Sequence, residues 1–197
     1  MSESTEIELR KNSLYIKRLM DVIGGLVGLV LTALVYVPIA LALKWDSPGP
    51  VIFAQDRVGK DKRTFRLYKF RTMHLNLGGH GYKPGPNDER VTRVGRFLRR
   101  SSLDELPQFF NILRGDMSLV GPRPEQWVFE AHYQDWQHRR FKVKPGLTGW
   151  WQVNGRKQPM HDHIDEDIYY VDHFCLSLDI IIMWRTLGAV MSGKGAV

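Results

Sequence analysis

The sequence predicts a mostly helical α+β protein that lies at a membrane. An uncharged apolar run extends from Val22 to Leu43, and roughly 20 such residues can cross the hydrocarbon core of a bilayer. Two segments of strand-like composition follow this run, and the rest of the chain has mainly helical spacing of its apolar residues. We therefore expect a membrane segment followed by one domain of ordinary size.

The predicted boundaries divide the chain into three parts. Residues 1–16 form a polar N-terminal tail, residues 17–45 form the membrane segment, and residues 46–197 form a cytoplasmic domain. The apolar run is too long for a cleaved signal peptide and has no small-residue cleavage pattern before Lys44, so we expect it to be retained.

The course of the membrane segment is predicted from its flanks and from Pro38. Lysines and arginines lie on both sides of the segment, so the positive-inside rule favours neither flank and both are expected to be cytoplasmic. Pro38 would remove a backbone hydrogen bond and clash with the preceding turn. These features predict a re-entrant helix-break-helix. A single span with the domain on the far side is the alternative, because proline is common in spanning helices.

The next elements are a turn, a hairpin and a loop. Asp46–Pro50 is rich in proline and glycine and ends the apolar segment. Residues 51–55 and 64–71 have strand-like composition and are separated by Gly59–Lys62, which predicts a small β-hairpin. Residues 78–87 are rich in glycine and proline and are expected to form a loop.

Four helices are predicted after the loop. Val91–Arg100 is basic and amphipathic, residues 106–115 are apolar over most of the helix surface, and Leu176–Met191 closes the series. Gln126–Val143 interleaves charges with Trp and Tyr, which suit a membrane interface. We expect interfacial amphipathic helices among these, with ordinary core packing as the alternative for residues 106–115.

Composition limits the classes of partner and cofactor. Lysine and arginine total 28 against 21 acidic residues, and this excess favours anionic partners such as lipid headgroups, phosphate esters or nucleic acid. Cys175 is the single cysteine, so neither an intramolecular disulfide nor a thiolate metal cage can form. His161–His163 has no third ligand at a diagnostic spacing, and we expect these histidines to be solvated.

The adjacent acids Asp104 and Glu105 are the candidate chemical groups. Neighbours on a helix diverge by about 100°, so the two carboxylates would have different roles. Pro107 is tolerated in the first turn of a helix, which places a helix start near Asp104. Ser102–Glu105 also matches a capping box, so a structural role for the acids is the alternative.

Arginines near these acids indicate chemistry on phosphate. Arg99, Arg123 and Arg156 stand beside turn or helix-end patterns. One guanidinium group can bind two phosphate oxygens at once. An aspartate can attack phosphorus to form an acyl phosphate, and Mg²⁺ would bridge the carboxylate and the substrate phosphates. No Walker or kinase glycine loop is present.

An ordered set of motifs contains these residues and extends from Lys17 to about Arg185. As a set, the motifs strongly resemble the small bacterial sugar transferases, which are monotopic polyprenyl-phosphate phosphoglycosyl transferases. The motifs are Lys17–Asp21, Ser47–Pro50, Phe53–Gly59, Lys69–Met73, Ser102–Gln108, Gly115–Pro124, Lys144–Trp150 and Gln152–Arg156.

The resemblance implies a two-step transfer. Asp104 attacks the β-phosphate of a UDP-sugar, releases UMP and holds a covalent phosphosugar, which a polyprenyl phosphate such as undecaprenyl phosphate then accepts. Glu105 completes the catalytic dyad, and Mg²⁺ assists with Asp104 as its ligand. This reaction would be the first membrane step in the assembly of a surface glycan.

The resemblance also implies a set of substrate-binding residues and partners. The residues are Arg99, Arg123, Arg156, Lys69, Arg71, Gln55, Arg57 and Pro122. The partners are a UDP-sugar, polyprenyl phosphate and a phospholipid membrane, without nucleic acid; a homodimer is left open.

The expected location is the cytoplasmic face of the bacterial inner membrane, through a re-entrant helix pair broken at Pro38. Many relatives carry serine before that proline, where this chain has Val37. We expect a minimal form without the additional spanning helices of the family's long members. Two rival functions are a non-catalytic module that binds anionic lipid or nucleic acid, and a UDP-sugar hydrolase.

Overall fold

The computed structural model describes residues 3–75, 88–154 and 162–191, with side chains from residue 13 to residue 190 within these ranges. The mixture of helices and short strands confirms the predicted α+β class. The elements are α1 (Glu3–Asp46), β1 (Ile52–Val58), β2 (Thr64–Phe70), α2 (Arg93–Arg100), α3 (Gln108–Arg114), β3 (Ser118–Val120), α4 (Trp127–Glu130), β4 (Gly146–Thr148), α5 (Trp150–Asn154), α6 (Ile164–Asp172) and α7 (Leu176–Met191).

Helix α1 is one continuous helix with Pro38 inside it. The predicted division into two helices at Pro38 is therefore wrong for this structure. A proline removes only one backbone hydrogen bond, and a long apolar helix can accommodate it without ending. The helix also includes residues 3–16 of the predicted polar tail, which contain good helix formers such as Glu, Leu and Lys. The re-entrant course stays a prediction.

The domain packs along one stripe of α1. The stripe recurs every three or four residues, which is the spacing of one helix face. At Gly28 a Cβ atom would overlap the ring of Phe109, so glycine allows α3 to approach closely. The Thr32 hydroxyl donates to the Leu106 carbonyl at 3.1 Å. The members of the stripe are Lys17, Asp21, Gly24, Gly28, Thr32, Val35, Ile39 and Leu43.

The opposite face of α1 is apolar and exposed. Leu34 is 72% exposed and Trp45 is 90% exposed, and Ile23, Val27 and Val30 are also exposed. Residues 13–46 of this helix have the length and apolar composition of a membrane-crossing segment. Such a surface is unfavourable in water and favourable in lipid, so this face identifies where a bilayer would meet the protein.

The predicted hairpin is confirmed. Strands β1 and β2 pair antiparallel, from Ile52 opposite Phe70 to Val58 opposite Thr64. A second pairing was not predicted, because its strands have only three residues each. Strands β3 and β4 run parallel, with Ser118 opposite Gly146.

Three apolar clusters connect these elements. The first joins Ile39 and Leu43 of α1 to Phe70 of β2 and Leu98 of α2. A second lies between β2 and α3, and a third includes Val120, Tyr170 and Ile182. Leu103 and Leu106, which flank the candidate site, pack against the first cluster.

The predicted helix Gln126–Val143 is wrong. The chain forms the short helix α4, then turns, and Gln137–Lys142 is a 3₁₀ helix. Arg140 lies 3.0 Å from Glu125 in a buried ion pair. In a continuous helix these residues would be roughly 22 Å apart, so the ion pair requires the chain to fold back. The predicted helix Leu176–Met191 is confirmed as α7.

Candidate active site

Asp104 lies in a 3₁₀ turn, Leu103–Glu105, between α2 and α3. Leu103 and Leu106 on either side of it pack against the first apolar cluster, which fixes the turn to α1 and β2. Ser102 has a left-handed backbone conformation with φ 56°, and its side chain makes no capping hydrogen bond. The predicted capping box is therefore absent from this turn.

Helix α3 begins at Gln108, four residues later than the predicted start near Asp104. Pro107 occupies the position before the first helical residue, with helical backbone angles. Because proline has no N–H to donate, the preceding residues form their own tighter turn. The acidic pair consequently projects from a separate 3₁₀ turn.

Burial dominates the environment of Asp104. The residue is 8% exposed, and burial together with the charge of Glu105 raises the pKa of Asp104 to about 7. The positive charges of Lys69, Arg99 and Arg123 act in the opposite direction. A carboxylate that changes charge near neutral pH within a ring of cations is typical of a reactive group.

Three cations come from three different elements. Lys69 extends from β2, and burial lowers its pKa to about 8, with Asp104 opposing that shift. Arg99 lies in the last turn of α2, where its Nε donates to the Thr72 hydroxyl at 2.9 Å. Arg123 follows β3 and donates to Glu105 at 3.4 Å. The cations exceed the two carboxylates, so the site favours an anion.

Arg57 and Gln55 extend this positive region along β1. Arg57 donates to the Pro124 carbonyl at 3.2 Å and to the Gln55 side chain at 2.9 Å. Gln55 in turn donates to Gln126 at 3.3 Å. The Nε of Arg57 is buried and has no hydrogen-bond partner among the described residues. Burial, followed by repulsion from Arg123, lowers the pKa of Arg57 to about 10.

The remaining predicted binding residues have different positions. Arg71 is 2% exposed and donates to the Pro50 carbonyl and to both oxygen atoms of Ser47 at 2.6–2.9 Å. Its guanidinium holds the turn after α1, so the structure does not place Arg71 at the site. Pro122 belongs to the turn before Arg123, where its carbonyl accepts from Gly146 at 2.8 Å. Arg156 lies outside the described residues, as do His161 and the predicted loop at residues 78–87.

The site offers oxygen donors to a metal ion but no complete metal cage. Across the described ranges, no group of three His, Cys, Asp or Glu residues is arranged to hold a metal. Mg²⁺ commonly binds through one or two carboxylates and completes its shell with substrate phosphates and water. Asp104 and Glu105 fit that mode.

Sequence reasoning missed the residues that orient the cations. Thr72 holds Arg99, Gln126 holds Gln55, and the backbone of Pro124 holds Arg57. Thr72 stands within the motif Lys69–Met73, which was the available clue. Contacts such as these join distant parts of the chain and leave no periodic pattern in the sequence.

Comparison with known proteins identifies the family of this chain. The profile of the bacterial sugar transferase family matches residues 12–193. Over 190 residues, the chain is 43% identical to the UDP-N-acetylgalactosamine-undecaprenyl-phosphate N-acetylgalactosaminephosphotransferase of Aeromonas hydrophila, covering 92% of this chain and 45% of that protein. It is 41% identical to the UDP-glucose:undecaprenyl-phosphate glucose-1-phosphate transferase of Escherichia coli (strain K12), covering 92% and 41%.

The chain therefore spans less than half the length of these two relatives. A shorter relative is the uncharacterized sugar transferase EpsL of Bacillus subtilis (strain 168), which is 38% identical over 181 residues; the match covers 91% of this chain and 89% of EpsL. The profile match includes α1 from residue 12 onward, the acidic pair and the cations around it. The chain belongs to the bacterial sugar transferase family.

Proposed function

We propose that this chain transfers a sugar 1-phosphate from a UDP-sugar to a polyprenyl phosphate, undecaprenyl phosphate, and releases UMP. The observation that carries the proposal is the buried carboxylate of Asp104, which lies among Lys69, Arg99 and Arg123 on a domain packed along an apolar helix. The relatives' names specify undecaprenyl phosphate and, in these cases, UDP-sugars. The product would begin the assembly of a surface glycan.

In the first step, a carboxylate oxygen of Asp104 attacks the β-phosphorus of the UDP-sugar. The new O–P bond forms as the bond from that phosphorus to the bridging oxygen breaks, and UMP leaves with the bridging oxygen. In the second step, a phosphate oxygen of the polyprenyl phosphate attacks the same phosphorus and releases the Asp104 carboxylate. Covalent catalysis of this kind divides one difficult transfer into two easier steps.

The surrounding side chains favour charge build-up during both steps. With a pKa of about 7, Asp104 is about half ionised at neutral pH. Lys69, with a pKa of about 8, is mostly protonated at that pH. Lys69, Arg99 and Arg123 then face the phosphate oxygens, where charge accumulates in the transition state.

Mg²⁺ is the proposed cofactor. Asp104, with Glu105 beside it, would hold the ion together with the substrate phosphates, and the ion would neutralise repulsion between the anions. Glu105 has a second proposed role, because its negative charge keeps the pKa of Asp104 high.

We further propose that the protein is monotopic and lies on the cytoplasmic face of the inner membrane. Lys17, near the start of the apolar part of α1, donates to the Val120 carbonyl at 2.9 Å. Asp46, at the end of α1, accepts from the Val94 backbone at 2.8 Å. Both ends of the apolar part of α1 are therefore bonded to the same domain, and crossing the bilayer would bring polar surface of that domain into lipid.

Full-length protein in nanodiscs, supplied with UDP-sugar and Mg²⁺ but no acceptor, tests the chemistry. We expect release of about one UMP per active site and a phosphosugar adduct on Asp104 by mass spectrometry. Asp104→Asn should give neither, whereas Asp56→Asn, which changes an exposed carboxylate on β1, should behave as wild type. UMP release that continues without acceptor would indicate a hydrolase. Salt-sensitive lipid binding without UMP release would indicate a non-catalytic module.

A further inference from the structure

A buried ion cluster lies behind the turn that carries Arg123. Arg140 donates through Nη1 to Glu125 at 3.0 Å and to the Tyr133 hydroxyl at 2.8 Å. Its Nη2 donates to Asp167 of α6 at 2.6 Å. The side chains of the three charged residues are each 1–2% exposed, and the mechanism proposed above uses none of them.

The same guanidinium also holds the backbone of the turn. Nη2 of Arg140 donates to the carbonyl oxygen of Arg123 at 2.8 Å. Arg57 donates to the next carbonyl, that of Pro124, at 3.2 Å. The Val58 backbone N–H donates to the carbonyl of Glu125 at 2.8 Å. The three successive carbonyl groups of the turn thus accept hydrogen bonds from the buried Arg140 and from two residues of β1.

The Arg123 side chain itself has little to orient it. It is 42% exposed, and among the described residues it contacts Glu105 at 3.4 Å. An exposed ion pair of this length contributes little energy, so the direction of the Arg123 side chain depends on the course of its backbone. A misplacement of about 1 Å at a substrate-binding group can cost on the order of 100-fold in rate.

We propose that Arg140 is a positioning residue, which fixes the backbone of Arg123 so that the Arg123 side chain meets the donor phosphate. The inference rests on the proposed function, because its effect is measured on that reaction. Arginine is required at this position because the guanidinium has two terminal nitrogens with fixed directions. Nη2 reaches both the Asp167 carboxylate and the Arg123 carbonyl, while Nη1 binds Glu125. A lysine would keep the charge but lose this geometry.

The test is a double-mutant cycle with Arg140→Lys and Arg123→Ala, using full-length protein in nanodiscs. The Michaelis constant (KM) for the UDP-sugar is the readout, because it does not depend on how much of the sample is folded. We expect Arg140→Lys to raise KM by about fivefold or more. In the Arg123→Ala background, Arg140→Lys should change KM by less than about twofold, because its effect acts through Arg123.

The neighbouring arginine provides a matched control. Arg139 also pairs with α6, through Asp172, but both side chains are well exposed. Arg139→Lys should leave KM unchanged. If Arg140→Lys does not fold, Tyr133→Phe provides a second test, because it removes the hydroxyl that accepts from Arg140 and leaves the guanidinium in place. This variant should also raise KM, again only when Arg123 is present.

Each outcome decides the proposal. An unchanged KM in Arg140→Lys, or in Tyr133→Phe when the lysine variant is unfolded, overturns it. Effects of Arg140→Lys and Arg123→Ala that multiply independently also overturn it and leave the cluster a purely stabilising role. Failure of the proposed function is distinct, because wild-type protein would then release no UMP from any UDP-sugar tested.

Discussion

Replacing Asp104 by asparagine should abolish turnover and at the same time stabilise the folded protein above neutral pH. Burial, followed by the charge of Glu105, raises the pKa of Asp104 from 3.8 to about 7. Each unit of pKa difference between the folded and unfolded states corresponds to about 1.4 kcal/mol. The ionised carboxylate therefore costs the folded state about 4 kcal/mol at pH 8.

The sign of this effect follows from proton binding. Between pH 4 and pH 7 the unfolded chain has released the Asp104 proton while the folded protein still holds it, so stability falls as pH rises through that window. Below about pH 4 both states are protonated and the cost vanishes. Asparagine has nearly the same shape without the charge, so the gain from Asp104→Asn should be largest at pH 8 and near zero at pH 4.

The assay is thermal or denaturant unfolding of the purified full-length protein in one detergent, at several pH values from 4.5 to 8. Asp56→Asn is the matched control, because Asp56 is exposed on β1 and its replacement should not produce the same pH-dependent gain. If Asp104→Asn is less stable than wild type at pH 8, or if its gain does not vary with pH, the argument from burial is refuted.

Three further predictions follow from the geometry. Glu105→Gln should lower activity and move the acid limb of the pH profile of kcat/KM to lower pH, because Glu105 raises the pKa of Asp104. An acid limb at the wild-type pH would contradict this effect of Glu105 on Asp104. Arg71→Met should reduce the free energy of unfolding by about 2–4 kcal/mol while KM stays unchanged, because the Arg71 guanidinium holds a turn; a raised KM in folded protein would return Arg71 to the site. Cysteines at Tyr15 and Trp45, both well exposed, in a Cys175→Ser background should resist an impermeant label in intact cells, and labelling of either would refute the monotopic topology.

Local patterns in the sequence were sufficient for the elements that form from neighbouring residues. The apolar run predicted a long apolar helix, alternation predicted the hairpin of β1 and β2, and helical spacing predicted α7 with its boundaries. The acidic pair and Arg99 were selected as a candidate site because their types and spacing suit phosphate chemistry. These predictions need only short-range periodicity and side-chain chemistry, both of which can be read along the chain.

Tertiary structure decided what depends on which surfaces meet. Arg140 pairs with Glu125 and Asp167, and this buried cluster divides the segment that helical spacing assigned to one helix. The Arg71 side chain binds the turn after α1, although its neighbourhood in the chain resembles a binding motif. The pKa of Asp104 rises mainly because folding removes this carboxyl from water. Burial and long-range ion pairs are properties of the assembled core, and their energies have no counterpart in the periodicity of the sequence.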